Sequence, residues 1–169
     1  MSIDATLKSL GIQLPAPPKP VASYVPAVLA GDLLYLSGML PFRDGQVAIT
    51  GKLGQDVTVE RGAEAARLAL LNALAVIRHE LGSLDRVQRI VRVVGHVASA
   101  SGFVQQPAVI NGASDLLVQV FGEAGRHARV ALGAAELPLH AAIELELLVQ
   151  VRPSKTFLRL FPSRRARLP

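Results

Sequence analysis

One arginine and two carboxylates near the C-terminal end could do chemistry. Arg129 lies in the run Ala128–Glu136, among small residues, and Glu144 and Glu146 lie in Ala141–Val151, alternating with apolar residues. Leu137-Pro138 joins the two runs. Both read as strands, in which successive side chains take opposite faces. Arg129, Ala131 and Gly133 then share one face, and Val130, Leu132 and Ala134 share the other, which reads as core. In the second strand Ile143, Leu145, Leu147 and Val149 read as core, with Glu144, Glu146, Leu148 and Gln150 opposite. A guanidinium is a planar fork that clamps a carboxylate with two hydrogen bonds. A glutamate beside it can orient and deprotonate a water. The alternative is a cross-strand ion pair between Arg129 and Glu144 on a solvated face, and such pairs are common. Spacing alone favours the pair and leaves both readings open.

Several elements must position these residues. Ser2 suits a helix N-cap, Asp4 suits the first turn and Gly11 suits a stop, which predicts a short helix over Ser2–Leu10 with Ile3, Leu7 and Leu10 on one face. Four prolines within residues 15–20 make a stiff connector. Val21–Val28 and Leu33–Ser37 read as strands around Gly31-Asp32, and Asp44-Gly45 marks a further turn. The longest helix is expected over Val59–Leu81, where Ala63, Ala66, Leu70, Leu74, Ile77 and Leu81 recur at three- and four-residue steps between the cap Thr58 and the stop Gly82. Arg86–Ala98 reads as a central strand. Pro107 opens a second long helix ending near Gly122, with Ile110, Ala113, Leu117, Val120 and Phe121 as its buried stripe. The order β-β-α-β-α-β-β predicts an α+β fold: a mixed sheet with two main helices packed on one face.

Composition excludes several classes. The 169-residue chain suffices for one domain: an N-terminal arm over 1–20, a body over 21–152 and a basic tail over 153–169. The net charge of +5 is carried by the tail, through Lys155, Arg159, Arg164, Arg165 and Arg167; the remaining 13 basic residues match the 13 acidic ones. That distribution argues against a nucleic-acid face. Aromatics are 4% of residues and there is no Trp, so base stacking has few platforms. With no cysteine, disulfides, thiolate nucleophiles and Cys-based zinc sites are excluded. No secretion signal and no long apolar run is present, which predicts a cytoplasmic protein with no membrane partner. His79, His96, His127 and His140 lack metal-ligand spacing, and no cofactor is expected. Gly51-Lys52-Leu53-Gly54 lacks the ending of a phosphate loop and reads as a turn.

From Tyr24 to Val151 the chain resembles the RidA (YjgF) family, also known as L-PSP endoribonuclease-like. The resemblance rests on Arg129, seven residues, Leu137-Pro138, five residues, then Glu144-x-Glu146. Tyr24-Val25, Ser37-Gly38-x-x-Pro41, Asn72 and Asn111 add to it, and Asn111–Asp115 with the N-terminal arm resembles a longer-chain branch. The resemblance implies a chorismate-mutase-like fold, a homotrimer with a central barrel, and clefts between subunits. It implies a deaminase that hydrolyses small carboxylate-bearing imines or enamines, turning 2-imino acids into 2-oxo acids and ammonia. Arg129 would clamp the substrate carboxylate and Glu144 would handle the water. Tyr24, Ser37, Gly38, Asn111 and the Ala131 backbone would line the cleft. Two alternatives go with it: a non-catalytic trimer that binds small carboxylates or protects proteins, and an RNA-cleaving protein. The chain departs from the family at Met39 and Ala65, each in place of a frequent Gln, and at Ala131 in place of Cys. Those departures are expected to leave the clamp and alter the pocket wall.

Overall fold

Helix boundaries follow local chemistry. The computed structural model describes residues 2–17 and 23–152. Helix α1 spans Ile3–Ser9, and the Ser2 side chain caps it by accepting from the Ala5 N–H. Helix α2 spans Val59–Leu81, capped by Thr58, which accepts from the Arg61 N–H, and closed by Gly82 at φ 77°. Helix α3 spans Gln106–Phe121 with proline in its first turn. Leu7 is buried as expected, but Leu10, the C-cap residue of α1, is exposed.

The strands are β1 (Ala27–Ala30), β2 (Leu33–Leu36), β3 (Phe42–Arg43), β4 (Gln46–Val47), β5 (Val87–Ala98), β6 (Ala128–Ala134) and β7 (Ile143–Val151). The β3–β4 hairpin turns through Asp44 and Gly45, both at positive φ, 53° and 80°. The expected first strand is displaced: it begins at Ala27, Pro26 precedes it, and Val21 lies outside the described residues. The basic tail, 153–169, also lies outside them.

Five strands form one sheet in the order β1-β2-β7-β5-β6. All neighbours are antiparallel except β5 and β6, which are parallel. Parallel strands need a crossover, and α3 supplies it. Strand β6 pairs only with β5, so its other side is a sheet edge. Strand β7 enters the middle of the sheet, which explains its near-continuous row of buried alternate residues, Ile143, Leu145, Leu147, Val149 and Val151.

Helices α2 and α3 cover one face. Ala65, Ala66, Ala69 and Ala73 of α2 are buried and bring the helix close to its neighbours. The two helices meet almost at backbone contact: a Cβ on Gly112 would lie 2.0 Å from the Ala63 carbonyl oxygen. A Cβ on Gly95 of β5 would lie 2.4 Å from Ile110 of α3, so glycine there lets the helix seat on the sheet. The other face has no described element over it, and Val28, Tyr35 and Leu132 on it are each about half exposed (52%, 49% and 52%).

Candidate functional site

The register settles the faces. Arg129 is level with Val93, and Val93 with Leu147; these two are core residues beneath the helices. Arg129 therefore lies on the helix side of β6, with Ala131 and Gly133. Val130 and Leu132 lie level with Val94 and His96, on the uncovered face. This corrects the expectation that Val130 and Leu132 form ordinary core. The reason is that β6 is an edge strand, whose helix side is only partly roofed by α3.

Strand β5 stands between β6 and β7. Glu144 pairs with His96 on β5 and shares its uncovered face, opposite to Arg129. A cross-strand Arg129–Glu144 ion pair is therefore excluded, as is a site that uses both residues side by side within one chain. Among the described residues no carboxylate lies within ion-pair distance of Arg129.

The predicted residues gather instead into two groups. In the first, Arg129 Nη1 donates to Asn111 Oδ1 at 2.8 Å and to Ser114 Oγ at 3.0 Å. Asn111 and Ser114 are three apart on α3, hence on one face of the helix. Ser114 Oγ lies 3.0 Å from His127 Nε2, and His127 Nδ1 lies 2.6 Å from the Gly125 carbonyl oxygen. Ala131 follows two residues after Arg129, half-buried against the core.

In the second group, Glu144 lies against Gly38. A Cβ on Gly38 would sit 1.9 Å from Glu144 Oε1, so only glycine admits the carboxylate in this position. Ser37 Oγ donates to the Val25 carbonyl at 2.7 Å, and the Ser37 N–H donates to Pro26 at 2.9 Å. Those two bonds tie the segment bearing Tyr24, itself exposed, to the end of β2. Beyond Gly38 the Met39 and Leu145 backbones exchange both hydrogen bonds, at 2.8 and 3.0 Å, which holds the turn against β7. His96 Nε2 lies 3.0 Å from Glu146 Oε1. Burial pushes the Glu144 carboxyl above its usual range; His96 opposes this and the like charge of Glu146 adds to it.

Asn72 supports the second group from behind. Its amide donates to the carbonyls of Leu40 (3.4 Å), Phe42 (3.0 Å) and Leu68 (3.0 Å), tying α2 to the segment after Gly38. Met39 and Ala65 are core residues, 4% and 0% exposed, rather than pocket wall, so these two departures change packing instead of the site surface. Lys52 Nζ is held by Glu136 at 2.6 Å, in keeping with a plain turn there. Sequence reasoning gave no role to Ser114 or to the His96–Glu146 contact. The i, i+3 spacing of Asn111 and Ser114 was the available signal for the first. The second depended on register, which the sequence does not display.

Known proteins resemble this chain along nearly its whole body. Residues 4–151 match the family described as "YjgF/chorismate mutase-like, putative endoribonuclease". Protein TCP17 of Trypanosoma cruzi is 45% identical over 150 residues, spanning 88% of this chain and 94% of that protein. The crystal structure of Atu1372 from Agrobacterium tumefaciens is 44% identical, with a TM-score of 0.83 over 89% of this chain and 94% of the other. A Shewanella oneidensis protein described as a "putative endoribonuclease" is 34% identical with a TM-score of 0.87 over 89% of this chain and all of the other.

Proposed function

The chain belongs to the YjgF/chorismate-mutase-like family, and on that footing we propose that it hydrolyses small carboxylate-bearing imines and enamines at clefts shared between copies of itself. A 2-imino acid takes up one water across its C=N bond, ammonia leaves, and a 2-oxo acid remains. Arg129 grips the carboxylate. Glu144 draws a proton from the attacking water and returns it to the departing nitrogen. Tyr24, Ser37, Gly38, Asn111 and the Ala131 backbone line the cleft.

The observation that carries this reading is the placement of Arg129. Its Nη1 is anchored by Asn111 and Ser114, while Nη2 and Nε have no partner among the described residues. A guanidinium held on one side and open on the other is a receptor for a planar anion. Since Glu144 faces the other way, Arg129 of one copy meets Glu144 of the next. The half-exposed Val28, Tyr35 and Leu132 favour such an assembly, because large apolar side chains left open on an uncovered sheet face are sites for association. A closed ring of three copies would cover that face, and it is the arrangement proposed. No helix among the described residues is long and apolar enough to cross a membrane.

The test is a panel of 2-imino acids generated in situ, with semicarbazide competing for the imine. The protein should divert imine from semicarbazone to 2-oxo acid, and Arg129→Ala should not. Equal diversion by Arg129→Ala would sink the reading. Binding of a 2-oxo acid without turnover of any imine would leave a non-catalytic carboxylate-binding trimer in its place.

A further inference from the structure

We propose that Ser114 and His127 are positioning residues that fix Arg129 for a side-on grip of its ligand, through a directed chain of hydrogen bonds. This rests on the reading of Arg129 as a carboxylate receptor, and it specifies how the receptor is set.

Proton bookkeeping gives the chain its direction. The Gly125 carbonyl can only accept, so His127 Nδ1, 2.6 Å away, carries a proton and donates it. In the neutral ring Nε2 is then the acceptor. Ser114 Oγ, 3.0 Å from Nε2, therefore points its own hydrogen at His127. That leaves the Ser114 lone pairs for Arg129, and Nη1 donates to them at 3.0 Å. Its second proton goes to Asn111 Oδ1 at 2.8 Å. Both Nη1 protons are thus committed to α3.

The consequence is geometric. An arginine can hold a carboxylate end-on through Nη1 and Nη2, or side-on through Nε and Nη2. Here Nη1 is used up, so only the side-on edge remains. A serine with its hydrogen turned toward Arg129 would repel the guanidinium instead of holding it. The orientation of that hydrogen is decided by His127, whose own hydrogen bonds go to Ser114 and Gly125 and not to Arg129. His127 is in turn fixed by Gly125, which packs so closely under α3 that a Cβ there would lie 2.2 Å from the Leu117 carbonyl oxygen. The backbone turn after α3, the imidazole, the serine and the arginine form one series.

A series makes a sharper prediction than a cluster does. The probe is pyruvate, a 2-oxo acid of the product class, with its dissociation constant measured by calorimetry on the intact protein. Arg129→Ala should abolish binding, and Arg129→Lys should not restore it, since a lysine has no fork. Ser114→Ala and His127→Ala should each weaken binding about tenfold, the loss of one charge-assisted bond. The double variant should be no weaker than Ser114→Ala alone, because the histidine acts only through the serine. His127→Gln keeps an acceptor where Nε2 stands and should bind within about twofold of wild type, whereas His127→Asn keeps only the Nδ1-like donor and should resemble His127→Ala. A purely structural role would rank Asn and Gln alike and make the two losses additive. Wild-type affinity in His127→Ala, additive losses, or failure of Gln to rescue would overturn the relay while leaving the carboxylate reading standing. Undiminished pyruvate binding by Arg129→Ala would overturn that reading itself.

Discussion

Arg129 and Glu144 project from opposite faces of a single sheet, on strands separated by β5. Neither can serve the other within one chain. In the proposed ring each cleft takes its arginine from one copy and its glutamate from the next. Arg129→Ala and Glu144→Gln should each be inactive alone. Mixed and allowed to exchange subunits in equal amounts, they should recover about a quarter of wild-type activity, the random chance that the intact arginine meets the intact glutamate at a cleft. Imine hydrolysis in the mixture, before and after exchange, measures this. No recovery after demonstrated exchange would show that Arg129 and Glu144 of different copies do not complete one cleft.

The pH dependence of that reaction has a predicted sign. A general base works only when deprotonated. Burial raises Glu144, His96 opposes, and Glu146 adds to the rise. The acid limb of kcat/KM should therefore lie above the ordinary glutamate value of about 4.3. Glu146→Gln removes a like charge and should move the limb to lower pH. Stability follows the same shift. A carboxyl raised on folding keeps its contribution below the unfolded value and loses it as pH rises through the folded one. The melting-temperature difference between Glu144→Gln and wild type should grow in favour of the variant between pH 4 and pH 7. A difference that does not change with pH would show that Glu144 is not desolvated in the assembled protein.

Asn72 makes a stability prediction. It is 2% exposed and serves three backbone carbonyls at once. Asn72→Ala removes this side-chain tie between α2 and the segment after Gly38, although Leu40 keeps the Phe42 N–H, and should cost about 1–3 kcal/mol, read from denaturant unfolding. Because Leu40 and Phe42 follow Gly38 directly, kcat should fall more than ligand affinity does. Asn72→Leu, which fills the volume but donates nothing, should not repair either effect.

The sequence made some features legible and hid others for identifiable reasons. Thr58, Gly82 and the alanine-leucine periodicity mark α2 to the residue, because caps and apolar steps are local properties. The alternation of β7 is equally plain, since its buried residues all face the helices. The faces of β6 were not legible. Its alternate residues, Val130 and Leu132 against Ala131 and Gly133, are all apolar or small, so pattern alone cannot say which side is covered. Nor does a short connection through Leu137-Pro138 reveal that β5, distant in sequence, inserts between β6 and β7. The ion-pair alternative survived at the sequence level for that reason and fails in three dimensions. Tyr24, Ser37, Gly38 and Asn111 were placed by resemblance; the structure divides them into a group around Glu144 and a group around Arg129.

Gly38 offers the most direct test of the Glu144 group. Its missing Cβ is the space that the carboxylate occupies, at 1.9 Å from Oε1. In Gly38→Ala the glutamate end must swing away, which it can do at small cost because it is the tip of a flexible chain. The fold should therefore survive with a loss below about 1–3 kcal/mol, the usual range for overpacking. Catalysis should fall by about a hundredfold or more, the contribution expected of a displaced general base. Pyruvate affinity should fall far less than kcat, because the carboxylate is gripped by Arg129 of the neighbouring copy and not by Glu144. Combining Gly38→Ala with Glu144→Gln should then add little further loss of kcat, since both remove one function. A large additional loss would mean that Gly38 serves the reaction through something other than room for Glu144.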